Sequence, residues 1–200
     1  ALGQHERAIG DYDRAIALDP NLAPAYYNRG NRYGALGQHE RAIGDYDRAI
    51  ALDPNDAKAY FNRGLSYGAL GQHERAIADF DRAIARDPNY ALAYFSRGNS
   101  YGDLGQHERA IGDYDRAIAL DPNYAPAYSN RGNSYGDLGQ HERAIGDFDR
   151  AIALAPNFAL AYSNRGLSYG ALGQHERAIG DYDRAIALDP NYATAYYNRG

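Results

Sequence analysis

The sequence predicts an all-α solenoid of antiparallel helical hairpins, and three observations predict it. The segment ALGQHERAIGDYDRAIALDPN that begins at Ala1 returns in near-identical form at Ala35, Ala69, Asp103, Asp137 and Ala171, with a constant period of 34 residues and no insertion. Each period holds two stretches long enough for a helix, divided by Gly-Gln and closed by Pro-Asn. The apolar residues within each stretch recur at helical spacing. Similarity that holds its phase through 200 residues marks a repeat architecture, in which each unit buries its apolar face against its neighbours.

Columns are numbered from the Ala that follows Pro-Asn-X, so column one is Ala23, Ala57, Ala91, Ala125, Ala159 and Ala193. The chain then reads as one array: a partial copy over 1–22, repeats 23–56, 57–90, 91–124, 125–158 and 159–192, and a partial copy over 193–200. Helix A is expected from about Ala23 to Leu36 and helix B from about His39 to Leu52, with equivalents in every repeat. Gly37 suits the left-handed conformation that ends helix A. Pro54 lacks an amide hydrogen and biases its predecessor away from helix, so it ends helix B.

In helix B, Ala42, Ile43, Tyr46, Ala49 and Ile50 fall on one face, which must be buried. In helix A, Tyr26, Gly30 and Tyr33 form the matching stripe, and Gly30 is small enough for a neighbouring helix to approach closely. The opposite face of helix B carries Glu40, Arg41, Asp45, Asp47 and Arg48 at spacings typical of a solvated surface.

Composition excludes several functions. With no Cys, Met or Trp, the chain has no disulfide, thiol chemistry or Cys-ligated zinc. A net charge of -5 with a single lysine, Lys58, argues against nucleic acid as a partner. No apolar run approaches the roughly 18 residues of a membrane span, so no membrane association is expected. The sequence leaves the compartment open.

The columns Tyr26, Gly30, Tyr33, Ala42, Tyr46, Ala49 and Pro54 resemble the signature of the tetratricopeptide repeat (TPR) family, across the whole chain. The resemblance implies hairpins stacked into a right-handed superhelix, with helix A lining the concave side. One column departs from the family: Arg29, Arg63, Arg97, Arg131, Arg165 and Arg199 stand where a large apolar residue is usual. A guanidinium beside the hairpin core needs an acceptor, so these arginines are expected to bond helix-B aspartates such as Asp45 or Asp79.

Copies within the chain differ at few columns, and the differences locate a candidate site. In helix A they fall at column two (Pro24, Lys58, Leu92), column five (Tyr27, Phe61, Phe95, Ser129, Ser163), column nine (Asn31, Leu65, Asn99, Asn133, Leu167) and column thirteen (Ala35, Asp103, Asp137). Steps of three and four residues place these columns on one stripe. Tyr27, Phe61 and Phe95 offer apolar contact, while Asn28, Asn31, Asn62 and Asn99 offer donors and acceptors for an extended backbone. The partner expected is therefore a protein or peptide, held in the helix-A groove by a non-catalytic scaffold.

Gly34, Gly68, Gly102, Gly136 and Gly170 lie near that stripe, where a helix-interior glycine costs roughly 1 kcal/mol. Close helix packing and the approach of a ligand backbone would each account for them. Some TPR domains grip a C-terminal carboxylate with lysines, an arginine and asparagines. Here Asn31 and Asn62 match the asparagine columns, but Tyr27 and Ser96 replace the first lysine and the arginine, so no working clamp is expected.

The histidines at 5, 39, 73, 107, 141 and 175 come once per repeat with no second ligand at i+4, so no metal is expected and they read as helix-start residues. No cofactor is implied. The Glu and Asp pairs recur identically in every copy, which would mean six active sites on one outer surface, so no enzyme is expected. Two alternatives stand beside the scaffold. The chain opens and closes within a repeat without a polar cap, which suggests a fragment and allows head-to-tail self-association. An engineered repeat protein without a natural ligand is the other, although most differences between copies need one nucleotide change and so fit natural duplication better.

Overall fold

A computed structural model describes residues 2–200, and its described residues form helices joined by short turns. The chain divides into two compact units, Ala1–Leu104 and Gly105–Gly200. The first contains α1 (Leu2–Leu18), α2 (Ala23–Ala35), α3 (His39–Leu52), α4 (Ala57–Ala69), α5 (His73–Arg86) and α6 (Ala91–Asp103). The second contains α7 (His107–Leu120), α8 (Ala125–Asp137), α9 (His141–Leu154), α10 (Ala159–Ala171), α11 (His175–Leu188) and α12 (Ala193–Arg199). Even-numbered helices are helix A and odd-numbered ones helix B. Within each unit consecutive helices pack as antiparallel hairpins in solenoid fashion.

The turns follow from their residues. Gly37 takes a φ of 72°, which lets its own N–H reach the Gly34 carbonyl and the Gln38 N–H reach that of Tyr33, both at 2.9 Å. This double bond pattern satisfies carbonyls that the end of α2 would otherwise leave open. After α3, the Asp53 carboxylate accepts from the Asn55 N–H at 3.0 Å and closes the turn around Pro54.

Each hairpin is held by a small-to-large contact. Phe80 on α5 is 1% exposed and lies over Gly64 of α4, where a Cβ would stand 2.7 Å from the ring edge. Tyr46 over Gly30, Phe148 over Gly132 and Tyr182 over Gly166 repeat it. The expected close approach at Gly30 is therefore present. Phe61, Tyr67 and Ala76 extend the core of the first unit, while Tyr135 with Ala144 and Tyr169 with Ala178 do so in the second.

The expected Arg–Asp bonds are also present. Arg29 bonds both oxygens of Asp45 through Nε and Nη2, at 2.8 and 2.6 Å, and Arg63, Arg131 and Arg165 treat Asp79, Asp147 and Asp181 in the same way. The third nitrogen reaches back to the preceding helix B: Arg29 to Asp13, Arg63 to Asp47. The hydrogen bonds that Arg29 donates to Asp45, outweighing burial that acts the other way, hold its guanidinium above its ordinary range. Asp45, read from sequence as part of a solvated face, is instead buried by this bond, while the exposed Asp47 bridges to Arg63 of the next hairpin.

Candidate functional site

Between one helix A and the next of the same unit lies an open pocket, and the same columns build it each time. The pocket between α2 and α4 has a volume of about 330 Å³, that between α4 and α6 about 200 Å³, and that between α8 and α10 about 430 Å³. The floor is the helix-B aromatic of the hairpin, Tyr46, Phe80 or Phe148. One wall comes from columns nine, twelve and thirteen of the first helix A. The facing wall comes from columns six, nine and ten of the second. The histidine that begins helix B, His39, His73 or His141, closes one end.

The polar chemistry of the first pocket is set before any ligand arrives. Burial pushes the Tyr46 hydroxyl well above the usual tyrosine range, so it stays a donor and gives its hydrogen to Asn31 Oδ1 at 2.8 Å. The same oxygen accepts from Asn62 Nδ2 at 2.9 Å, and Asn62 Nδ2 also reaches the Tyr27 hydroxyl at 3.1 Å. These bonds fix both amides and leave the Asn31 N–H groups and the Asn62 carbonyl for a ligand. An extended peptide backbone offers the complementary carbonyl and N–H. In the second unit, Asn164 Nδ2 donates to Asn133 Oδ1 at 2.8 Å and repeats the arrangement.

Asn31, Asn62, Leu65, Asn99, Asn133 and Leu167 all line these pockets. Leu65 and Leu167 are 45% and 48% exposed, which leaves apolar area to cover. The placement of column five as groove wall is corrected. Ser129 and Ser163 are 0% and 1% exposed and Phe61 is 8% exposed; Phe61 packs against Phe80 and Tyr90, with ring centroids 5.8 and 4.8 Å away. Tyr27 and Phe95 are half-buried, with Tyr27 against Tyr46. Asn28 is half-buried, and Lys58 is exposed in the first turn of α4.

Sequence reasoning missed the histidines and the column-ten serines of this site. Ser66 and Ser168 are buried in pocket walls, bonding the carbonyls four residues back. The imidazole Nδ1 atoms of His39, His73 and His141 are buried without a hydrogen-bond partner, although His73 Nδ1 stands 3.5 Å from Asp103. The turn after Gly-Gln, which folds the histidine back beside the end of helix A, was the available signal. Gly68, Gly136 and Gly170 resolve a choice the sequence left open. A Cβ at any of them would meet nothing within 4 Å, so close packing does not explain them.

The chain matches a family model described as "Tetratricopeptide repeat" over residues 57–90, 125–158 and 159–192, and one described as "TPR repeat" over 1–37, 30–71 and 98–139. No curated protein sequence matches at a significant level. Among solved structures it is similar to YrrB, described as "a TPR protein with an unusual peptide-binding site", at 26% identity, covering 93% of this chain and 96% of that one with a TM-score of 0.77. MamA is similar at 29% identity, covering 82% of this chain and 96% of its own, with a TM-score of 0.76. PilW, described as a "widely conserved type IV pilus biogenesis factor", shares the fold at 23% identity and a TM-score of 0.85, covering 98% of this chain and 91% of that one.

Proposed function

The chain belongs to the tetratricopeptide repeat family, and we propose that it is a non-catalytic scaffold holding an extended segment of a partner protein along its helix-A surface. The observation that carries this reading is the recurrence of one pocket, aromatic at its floor and amide at its walls, between α2 and α4, α4 and α6, and α8 and α10. The two pockets of the first unit suit side chains of one extended strand and its Asn31–Asn62 pair suits the backbone; the second unit repeats the arrangement with Asn133–Asn164. The description of YrrB as peptide-binding supports the same class of ligand.

A randomised peptide display library tests it, followed by affinity measurement of the selected peptides. Leu65→Asp and Leu167→Asp alter exposed side chains and leave the core intact. Each is expected to weaken binding about tenfold, since it puts a charge where apolar area should be covered (roughly 1.4 kcal/mol). Undiminished affinity in both variants would place the ligand elsewhere. Phe61→Ala would be a poor probe, because truncating a buried phenylalanine costs about 3–5 kcal/mol and unfolding would masquerade as lost binding.

A further inference from the structure

We propose that the pocket between α8 and α10 takes a lysine or arginine side chain of the held segment, with Asp137 as its counter-charge; this rests on the peptide-binding reading above. Asp137 brings the only carboxylate among the residues lining this pocket, and no lysine or arginine lines it. Its side chain is 58% exposed at the rim, and among the described residues the group paired with it is His107 Nδ1, 3.5 Å away and outside the pocket.

Shape agrees with charge. At about 430 Å³ this pocket exceeds its counterpart between α2 and α4, at about 330 Å³, and its floor, Phe148, lacks the hydroxyl by which Tyr46 reaches Asn31. Phe148 and the half-exposed Leu167 offer apolar surface for a hydrocarbon stem, while the head of a long basic side chain reaches the rim.

The other two pockets lack one half of this arrangement. Between α2 and α4 the matching position is Ala35, so that pocket holds no carboxylate. Between α4 and α6 the matching position is Ala69; the carboxylate there, Asp103, comes from the facing helix, and the volume is about 200 Å³. Helix stability does not call for the acid at position 137, although α6 also ends on one, Asp103. Asp137 is the last residue of α8, where a carboxylate faces the negative end of the helix dipole, and α2, α4 and α10 end on alanine instead.

The test is a positional-scanning library of N-acetylated, C-amidated decapeptides, read against the wild-type chain, Asp137→Asn and Asp137→Ala. Wild type is expected to favour Lys and Arg over Gln at one position by about fivefold, a preference that fades with added salt. Both variants should keep their helix content and lose the preference. Binding without a basic preference, or a preference that persists in both variants, would overturn this inference while leaving the scaffold reading in place. Failure of the wild-type chain to bind any library would overturn both.

Discussion

Gly64 and Gly68 are four residues apart on α4, yet they carry opposite predictions. A Cβ on Gly64 would stand 2.7 Å from the buried Phe80 ring, which has nowhere to move. Gly64→Ala is therefore expected to destabilise by about 1–3 kcal/mol despite its gain in helix propensity. A Cβ on Gly68 meets open space, so Gly68→Ala should stabilise by roughly 1 kcal/mol; urea unfolding of the pair checks both signs. Arg63 offers a second test. Its partner Asp79 has a side chain 3% exposed, so Arg63→Met leaves the buried carboxylate only the longer 3.5 Å contact with Arg82 and should cost about 3 kcal/mol. Replacing Asp79 with Leu in the same chain should restore most of that loss. Tyr90 provides a pH signature. Burial, helped by neighbouring acidic groups, pushes its hydroxyl up to about 12, against about 10 in an unfolded chain. A raised folded value means that this contribution is whole below pH ~10 and is lost as pH climbs towards 12. Helix content followed through that window should fall less steeply in Tyr90→Phe.

At the scale of the element, the repeats differ in one turn. Asp19, Asp53, Asp87, Asp121 and Asp189 each accept from the N–H two residues on, at 3.0 Å, but Ala155 after α9 cannot. Ala155→Asp is expected to restore that bond and raise stability by about 0.5 kcal/mol, the lower end for an exposed hydrogen bond, measured by thermal unfolding. These turns were legible because Gly, Pro and Asp each impose a local conformation that needs no tertiary partner. Helix A was expected over 23–36 and is found at Ala23–Ala35; helix B was expected over 39–52 and is found at His39–Leu52. Column five was misplaced for the converse reason. Helical periodicity gives the face of an isolated helix, while the cover over Phe61 and Ser129 comes from packing against other helices. Column nine, with Asn31 and Leu65, lines a pocket because it lies farther along the stripe, where the next helix A leaves a gap. His39 and His141 went unrecognised because their place in the site depends on how the hairpin closes, which spacing along one helix does not report.

At the scale of the whole molecule, the glycines fall into those that permit packing and those that meet open space. Gly30, Gly64, Gly132 and Gly166 permit hairpin closure, whereas Gly68 and Gly136 give the helices no packing return and line the pockets. Helix-B glycines such as Gly44 and Gly112 also face open space, but that column already accepts Ala78 in another copy. Gly112→Ala should thus stabilise without touching binding, while Gly68→Ala and Gly136→Ala should stabilise and weaken it, the trade expected of a site that gives up stability for function. The direct test of the central claim is the amide chemical-shift map of the isotope-labelled chain titrated with a library-selected peptide. The account predicts that the largest shifts gather on the pocket walls, at Asn31, Asn62, Leu65, Asn133, Asn164 and Leu167. Shifts concentrated on the outer helix-B residues, such as Glu40, Arg48 and Glu142, would contradict it.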